Sequence, residues 1–141
     1  MYLLDSDHLT ILWYDHGKSY ETLISRIADH SDDEFAVSIV TIEEQLRGWL
    51  AYVAKASAIE GAIKDYSKLR EVIDRFREIN VLDFDSAAAG VFIDLKSQGV
   101  RVGTMDLRIA AIAIANDLTL LTRNSIDFER VPNLRFKDWT I

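Results

Sequence analysis

Five acidic residues stand where a short apolar run gives way to a turn or to the first turn of a helix: Asp5, Asp7, Glu44, Asp106 and Asp127. Carboxylates accept protons, orient water and hold hard cations, so their placement is the first chemical signal in the chain. Each alone has an ordinary explanation. Thr41-x-x-Glu44 reads as a capping box, in which the glutamate bonds back to the cap amide. Asn124-x-x-Asp127 reads the same way, and Asp5 and Asp7 suit a turn. Asp106, in the first turn of a helix capped by Thr104, answers the helix dipole. Together these explanations weaken. Two carboxylates about 5 Å apart repel by roughly 3 kcal/mol at an effective dielectric near 20. Several on one pocket therefore require either protonation or a divalent cation. Oxygen ligands, with no cysteine and no histidine cluster, favour Mg²⁺ or Mn²⁺ over zinc. Such a cation polarises a phosphate and steadies a leaving oxygen, which is the chemistry of phosphoryl transfer.

The elements that must bring the acids together are legible from periodicity. Tyr2-Leu3-Leu4 reads as a strand closed by Asp5, with a helix from His8 to Tyr14. Ser19 caps a helix over 20–30, with Leu23, Ile24 and Ile27 on one face. Residues 35–40 read as a second strand. A helix from Thr41 to about Lys55 carries Glu44 in its first turn. A longer helix over 57–78 has the stripe Ile59, Ala62, Tyr66, Leu69, Ile73 and Phe76. The two predict an antiparallel hairpin beside the sheet. Residues 81–84 form a third strand, followed by a helix capped by Asp85 and closed by Gly99. The next helix, opened by Asp106, is apolar at every position from Ile109 to Ala115, as in a buried helix. Residues 118–121 form a fourth strand, a short helix spans 125–130, and 134–136 form an edge strand.

Strands alternating with helices predict an α/β fold: a three-layer α/β/α sandwich on a mainly parallel sheet of four to five strands, with the helical hairpin, as one domain over 1–141. In an open parallel sheet ligands bind beyond the carboxyl ends of the strands. Asp5, Glu44, Asp106 and Asp127 all fall there, and Asp7 offers a fifth oxygen ligand or an outer contact.

Composition bounds the partners. Lys plus Arg is 16 against 23 Asp plus Glu, a formal net charge of −7. That argues against nucleic acid unless a bound cation supplies the positive charge the substrate needs. Arg47, Arg101, Arg108 and Arg123 lie near the expected rim, where they would hold flanking phosphates. The absence of cysteine points to a reducing cytoplasm. No signal peptide or membrane span is visible. His8, His16 and His30 are too scattered for a ligand set, and His8 is expected at the surface. Trp13, Trp49 and Tyr52 fall at helical spacing and suit packing, with Trp49 and the hairpin also suited to a protein interface.

The chain resembles the PIN-domain nucleases, and within them the VapC-like toxins of toxin–antitoxin pairs. Leu3-Leu4-Asp5-Ser6-Asp7 resembles the opening strand with its first acid, although Asn is usual where Asp7 stands. Thr41 to Gly48 resembles the second motif, whose acid lies four residues before a glycine and so selects Glu44 over Glu43. Met105-Asp106-Leu107-Arg108-Ile109-Ala110-Ala111 resembles the most specific segment. Thr122-Arg123-Asn124 through Asp127-Phe128, then Val131 to Leu134, resembles the closing motif. The resemblance implies an endoribonuclease dependent on Mg²⁺ or Mn²⁺, with Asp5, Glu44, Asp106 and Asp127 as the working acids and Asp5 and Asp106 on the cation. Asp7, Thr104, Thr122 and Asn124 would support the site, and Arg47, Arg108 and Arg123 would touch substrate. It also implies a homodimer and a cognate antitoxin that blocks the site. Two other readings stand beside it. Asp5-x-Asp7 after a strand is similar to the nucleophile motif of haloacid dehalogenase-like phosphatases, and a domain of the same fold could act by binding alone.

Overall fold

A computed structural model describes all 141 residues. Its centre is a five-stranded parallel sheet in the order β3-β2-β1-β4-β5. The strands are short: β1 is Tyr2–Leu4, β2 Phe35–Ser38, β3 Val81–Leu82, β4 Thr119–Leu121 and β5 Arg135–Lys137. Successive side chains of a strand point to opposite faces, and the sequence uses this in doublets. Leu3, Ala36 and Leu120 join one core, while Leu4, Val37 and Leu121 join the other. Runs that are apolar on both faces are what a parallel sheet covered by helices requires.

The first core lies under α5 (Ser86–Ser97) and α6 (Thr104–Ala115), with Phe128 of the short α7 (Ser125–Phe128). The expectation for α6 holds. Leu107, Ile109, Ala110, Ala111, Ile112 and Ala113 are all buried, and α6 packs between the sheet and α5. The second core lies under α1 (Ser6–Tyr14), α2 (Lys18–Ile27) and the end of α4 (Ile59–Phe76). The three layers and parallel sheet are as predicted. A 3₁₀ turn, Asp32–Glu34, leads into β2. No helix is long and apolar enough to cross a membrane.

The hairpin is formed by α3 (Ile39–Lys55) and α4, joined through residues 56–58 and packed on each other. Of the expected stripe of α4, Phe76 is buried and Ala62 and Leu69 are half-buried. In α4 only Val72 and Phe76 are buried, whereas Ile59 is 71% exposed and Tyr66 60%. The amino-terminal half of α4 makes no part of either buried core, so its apolar residues are left open.

Three caps also differ. Helix α3 starts earlier than predicted, at Ile39, and is capped by Ser38, whose hydroxyl accepts the Thr41 amide at 2.9 Å. Thr41 therefore lies inside the helix and Glu44 is not part of a capping box. Gly103 occupies the cap position of α6, and Thr104 is the first residue of the helix. Gly17 rather than Ser19 precedes α2. In contrast, Asp85 caps α5 as expected, accepting the Ala88 amide at 2.9 Å. Gly99 ends that segment at φ 76°, a left-handed conformation that glycine adopts without strain.

Candidate active site

Strand β1 has β2 on one side and β4 on the other, so the chain reverses direction across the sheet at β1. A crevice beyond the strand ends opens at such a point. Asp5 follows β1 directly and its amide donates to the Leu121 carbonyl at 3.0 Å, extending the ladder by one residue. Its side chain caps α1, accepting the Ser6 amide at 2.8 Å. Its other oxygen accepts the Thr122 hydroxyl at 2.7 Å. Asp5 is 6% exposed. Burial, the charge of Asp7 and that of Glu44 raise its pKa to about 7, against the pull of the Thr122 and Ser6 hydrogen bonds.

The other acids gather around it from distant parts of the chain. Glu44, released from any capping role, accepts a hydrogen bond from the Ser6 hydroxyl. Asp106 stands in the first turn of α6, and burial, then Glu44, Asp127 and Asp7, push its pKa upward. Glu44 and Asp7 thus act on both Asp5 and Asp106. Asn124 caps α7, and its side-chain amide donates to Asp127 at 3.0 Å and reaches Asp106 at 3.5 Å. Asp127 also lies 3.7 Å from Arg130. Burial works against the Asp7 anion. The His8 hydrogen bond and the Arg123 amide outweigh it and hold the Asp7 carboxyl below the usual carboxylate range.

Three of the expected supporting residues meet these acids: Asp7, Thr122 and Asn124. Thr104 is exposed at the start of α6. The arginines are dispersed. Arg123 contributes its backbone amide to Asp7 at 2.7 Å while the residue is exposed. Arg47 pairs with Glu43 at 2.6 Å and lines a groove that also contains Glu44. Arg108 lies over the Phe92 ring, beside Ile39 and Phe84, in a different recess. Arg101 is exposed, with its carbonyl facing Arg130.

The groove beside Glu44 measures about 970 Å³ and is bordered by Ser6, Tyr14, Trp49, Tyr52, Lys64 and Lys68. It leads from the acids along α1 and α3 to α4.

The donor set of carboxylates, hydroxyls and one side-chain amide, with no thiolate, suits a hard divalent cation. No three of the acidic or histidine side chains form a ready-made ligand cluster. Mg²⁺ does not need one, because it keeps several waters and is held by one or two carboxylates together with substrate phosphates. The buried Asp5 and the half-buried Asp106, both pushed upward by the charges of Glu44 and Asp7, fit such an ion.

The PIN domain family model matches residues 2–134. The chain belongs to that family. Ribonuclease VapC2 of Rickettsia felis is 28% identical to it over 143 residues, covering 99% of this chain and 98% of the relative. The tRNA(fMet)-specific endonuclease VapC of Shigella flexneri is 38% identical over 98 residues, covering 64% of this chain and 74% of the relative. Among solved structures, VapBC2 from Rickettsia felis bound to a DNA fragment from its promoter matches with a TM-score of 0.69 at 27% identity, covering 98% of each chain. Membership in the PIN family sets aside the dehalogenase-like reading of Asp5-x-Asp7.

Two residues of this PIN domain escaped the sequence reading. Ser6 carries no sequence signal, because nothing in its neighbourhood indicates a partner 38 residues away. His8, expected at the surface, is fully buried. Its ring bonds to Asp7 and to the Trp139 amide. The helical pattern of α1 offered a signal, since Leu9 and Ile11 beside it are buried too.

Proposed function

We propose that this PIN domain is a VapC-like endoribonuclease that hydrolyses RNA phosphodiester bonds with the help of Mg²⁺ or Mn²⁺. What supports the reading most is that acids from four distant stretches share one crevice, with the pKa of Asp5 raised to about 7. Asp5 and Asp106 would hold the cation. When bound, it supplies positive charge to the scissile phosphate and favours ionisation of the attacking water. Glu44 and Asp127 orient that water, and one of them takes up its proton and returns it to the leaving oxygen. Asn124 keeps Asp106 and Asp127 in register, and Thr122 fixes the rotamer of Asp5. The Arg47 and Arg123 side chains, both exposed, contact phosphates flanking the cut.

An antitoxin partner follows from the same kinship, since the matched Rickettsia structure is of a VapBC pair. An acidic crevice continuous with the apolar groove past Trp49 and Tyr52 accommodates a segment carrying a basic side chain. A second copy of the chain completes the reading as a homodimer.

The test is cleavage of RNA by the purified protein in Mg²⁺ or Mn²⁺, with and without chelator, beside Asp106→Asn. Wild type should cut and lose activity with chelator. Asp106→Asn should fall by at least about 100-fold, as expected on losing a group that stabilises the transition state. Equal inertness of both proteins, with a partner still bound, would instead make this a binding module.

A further inference from the structure

His8 is the one fully enclosed histidine, and the reaction sketched above leaves it unused. We infer that His8 is a positioning residue: its Nδ1–H clamps the Asp7 carboxylate against the β4–α7 loop, and that loop completes the carboxylate site. This deepens the nuclease reading and rests on it for its catalytic consequence.

The chemistry of the ring leaves one arrangement. The Trp139 amide lies 3.1 Å from Nε2, and an amide N–H can only donate. Nε2 is therefore the bare nitrogen and the ring proton sits on Nδ1. Nδ1 is 2.7 Å from Asp7 Oδ1, so the ring donates to the acid on one side while accepting the carboxy-terminal backbone on the other. Asp138 Oδ1 is 3.7 Å from Nε2. It is occupied by the Thr140 amide at 2.8 Å and hydroxyl at 2.6 Å.

From Asp7 the connection runs into the site. The second oxygen of Asp7 accepts the Arg123 amide at 2.7 Å. Thr122 gives its single hydroxyl proton to Asp5 at 2.7 Å and accepts the Asn124 amide at 3.1 Å. The Asn124 side chain then meets Asp127 and Asp106. A buried ring with both nitrogens engaged holds the acid that fixes this loop. Partners that orient site residues in this way typically change affinity or activity about 10–100-fold when removed.

Two substitutions separate the halves of the clamp. Asn places its amide near Nδ1 and so keeps the donor to Asp7. Gln reaches the position of Nε2 and keeps only the acceptor for Trp139. His8→Asn should hold kcat within about threefold, whereas His8→Gln should lose about 10–100-fold in kcat with little change in KM. Both should lose similar thermal stability, each having dropped one buried hydrogen bond. In an Asp7→Asn background His8→Gln should add little, because coupled residues are not additive.

Readouts independent of cleavage come from NMR on the intact protein. The wild-type His8 ring should show a protonated Nδ1 and a bare Nε2. The Arg123 amide proton should move upfield in His8→Gln and stay in place in His8→Asn. An Nε2–H ring, an unmoved Arg123 amide in His8→Gln, or activity that tracks stability equally in both variants would overturn the assignment. Should wild type cleave no RNA, the nuclease reading fails while the ring and amide signals still decide the clamp. Should neither variant fold, the wild-type ring tautomer decides it.

Discussion

Asp5 occupies a place that suits its acid form better than its carboxylate. Burial and the charges of Asp7 and Glu44 raise its pKa from an ordinary 3.8 to about 7. The folded chain then keeps a proton that the unfolded chain releases between those values. Stability from this group is complete below pH 3.8 and is lost as pH rises through about 7. Asp7, shifted the other way, acts only below the ordinary carboxylate range and leaves this window alone. Metal-free protein should therefore melt at a lower temperature at pH 8 than at pH 5. Asp5→Asn should lessen that fall, leaving the part due to Asp106, whose pKa is also raised, gain roughly 1–3 kcal/mol at pH 8, and cleave no RNA. Added Mn²⁺ should raise the melting temperature of wild type and not of the variant. Thermal scans across this pH range check it; a variant that follows the wild-type profile would contradict the assigned environment. The acids were legible one by one from their positions at strand ends. Their partners were not, because Ser6 and Glu44, or Thr122 and Asp5, are 38 and 117 residues apart.

At the scale of elements, strands and buried helices were read most easily, because doublets such as Leu3-Leu4 and the run 109–115 leave few alternatives. Caps were read less well. Thr41 and Ser38 both precede the stripe of α3, and only the observed hydrogen bond to Ser38 chooses between them. The choice has a functional side, since a cap at Ser38 places Glu44 in the second turn of α3, with its carboxylate on Ser6. Ser38→Ala should cost about 1 kcal/mol, as loss of a cap does. Because α3 carries Glu44, cleavage should fall more than the folded fraction does. Glu43→Gln is the control. Glu43 is 46% exposed and bonds only Arg47, itself 68% exposed, and such pairs contribute little. Urea unfolding and initial cleavage rates, measured on both variants, compare the two positions directly. Loss of cleavage in Glu43→Gln would transfer the role from Glu44 to its neighbour.

The whole molecule gathers its acids at one end of the sheet and leaves its open apolar surface at the end of the hairpin. The spacing of Ile59, Tyr66 and Ile73 gives α4 an apolar face. The sheet with α1, α2, α5 and α6 fills both cores without the amino-terminal half of α4, so spacing reports an apolar face without saying what covers it. Leu50 at 54%, Tyr52 at 61%, Ile59 at 71% and Ile63 at 66% exposure remain uncovered. Exposed apolar residues in such number mark a surface that meets another protein. The groove from Glu44 past Tyr52 to Lys64 connects that surface with the acids, so a protein seated on the hairpin can also reach the crevice. The acidic balance of −7 favours a basic partner over an acidic one. Replacing Ile59 and Ile63 together by Lys should therefore weaken capture of a co-expressed antitoxin by at least about tenfold, the loss of a single good contact or more. RNA cleavage should persist, because neither side chain touches the acids, and stability should change by less than about 0.5 kcal/mol, as for other surface positions. Titration of the antitoxin against cleavage separates the two effects. An inhibition curve identical to wild type would mean that the partner reaches the acids without the hairpin, by way of the β4–α7 loop instead.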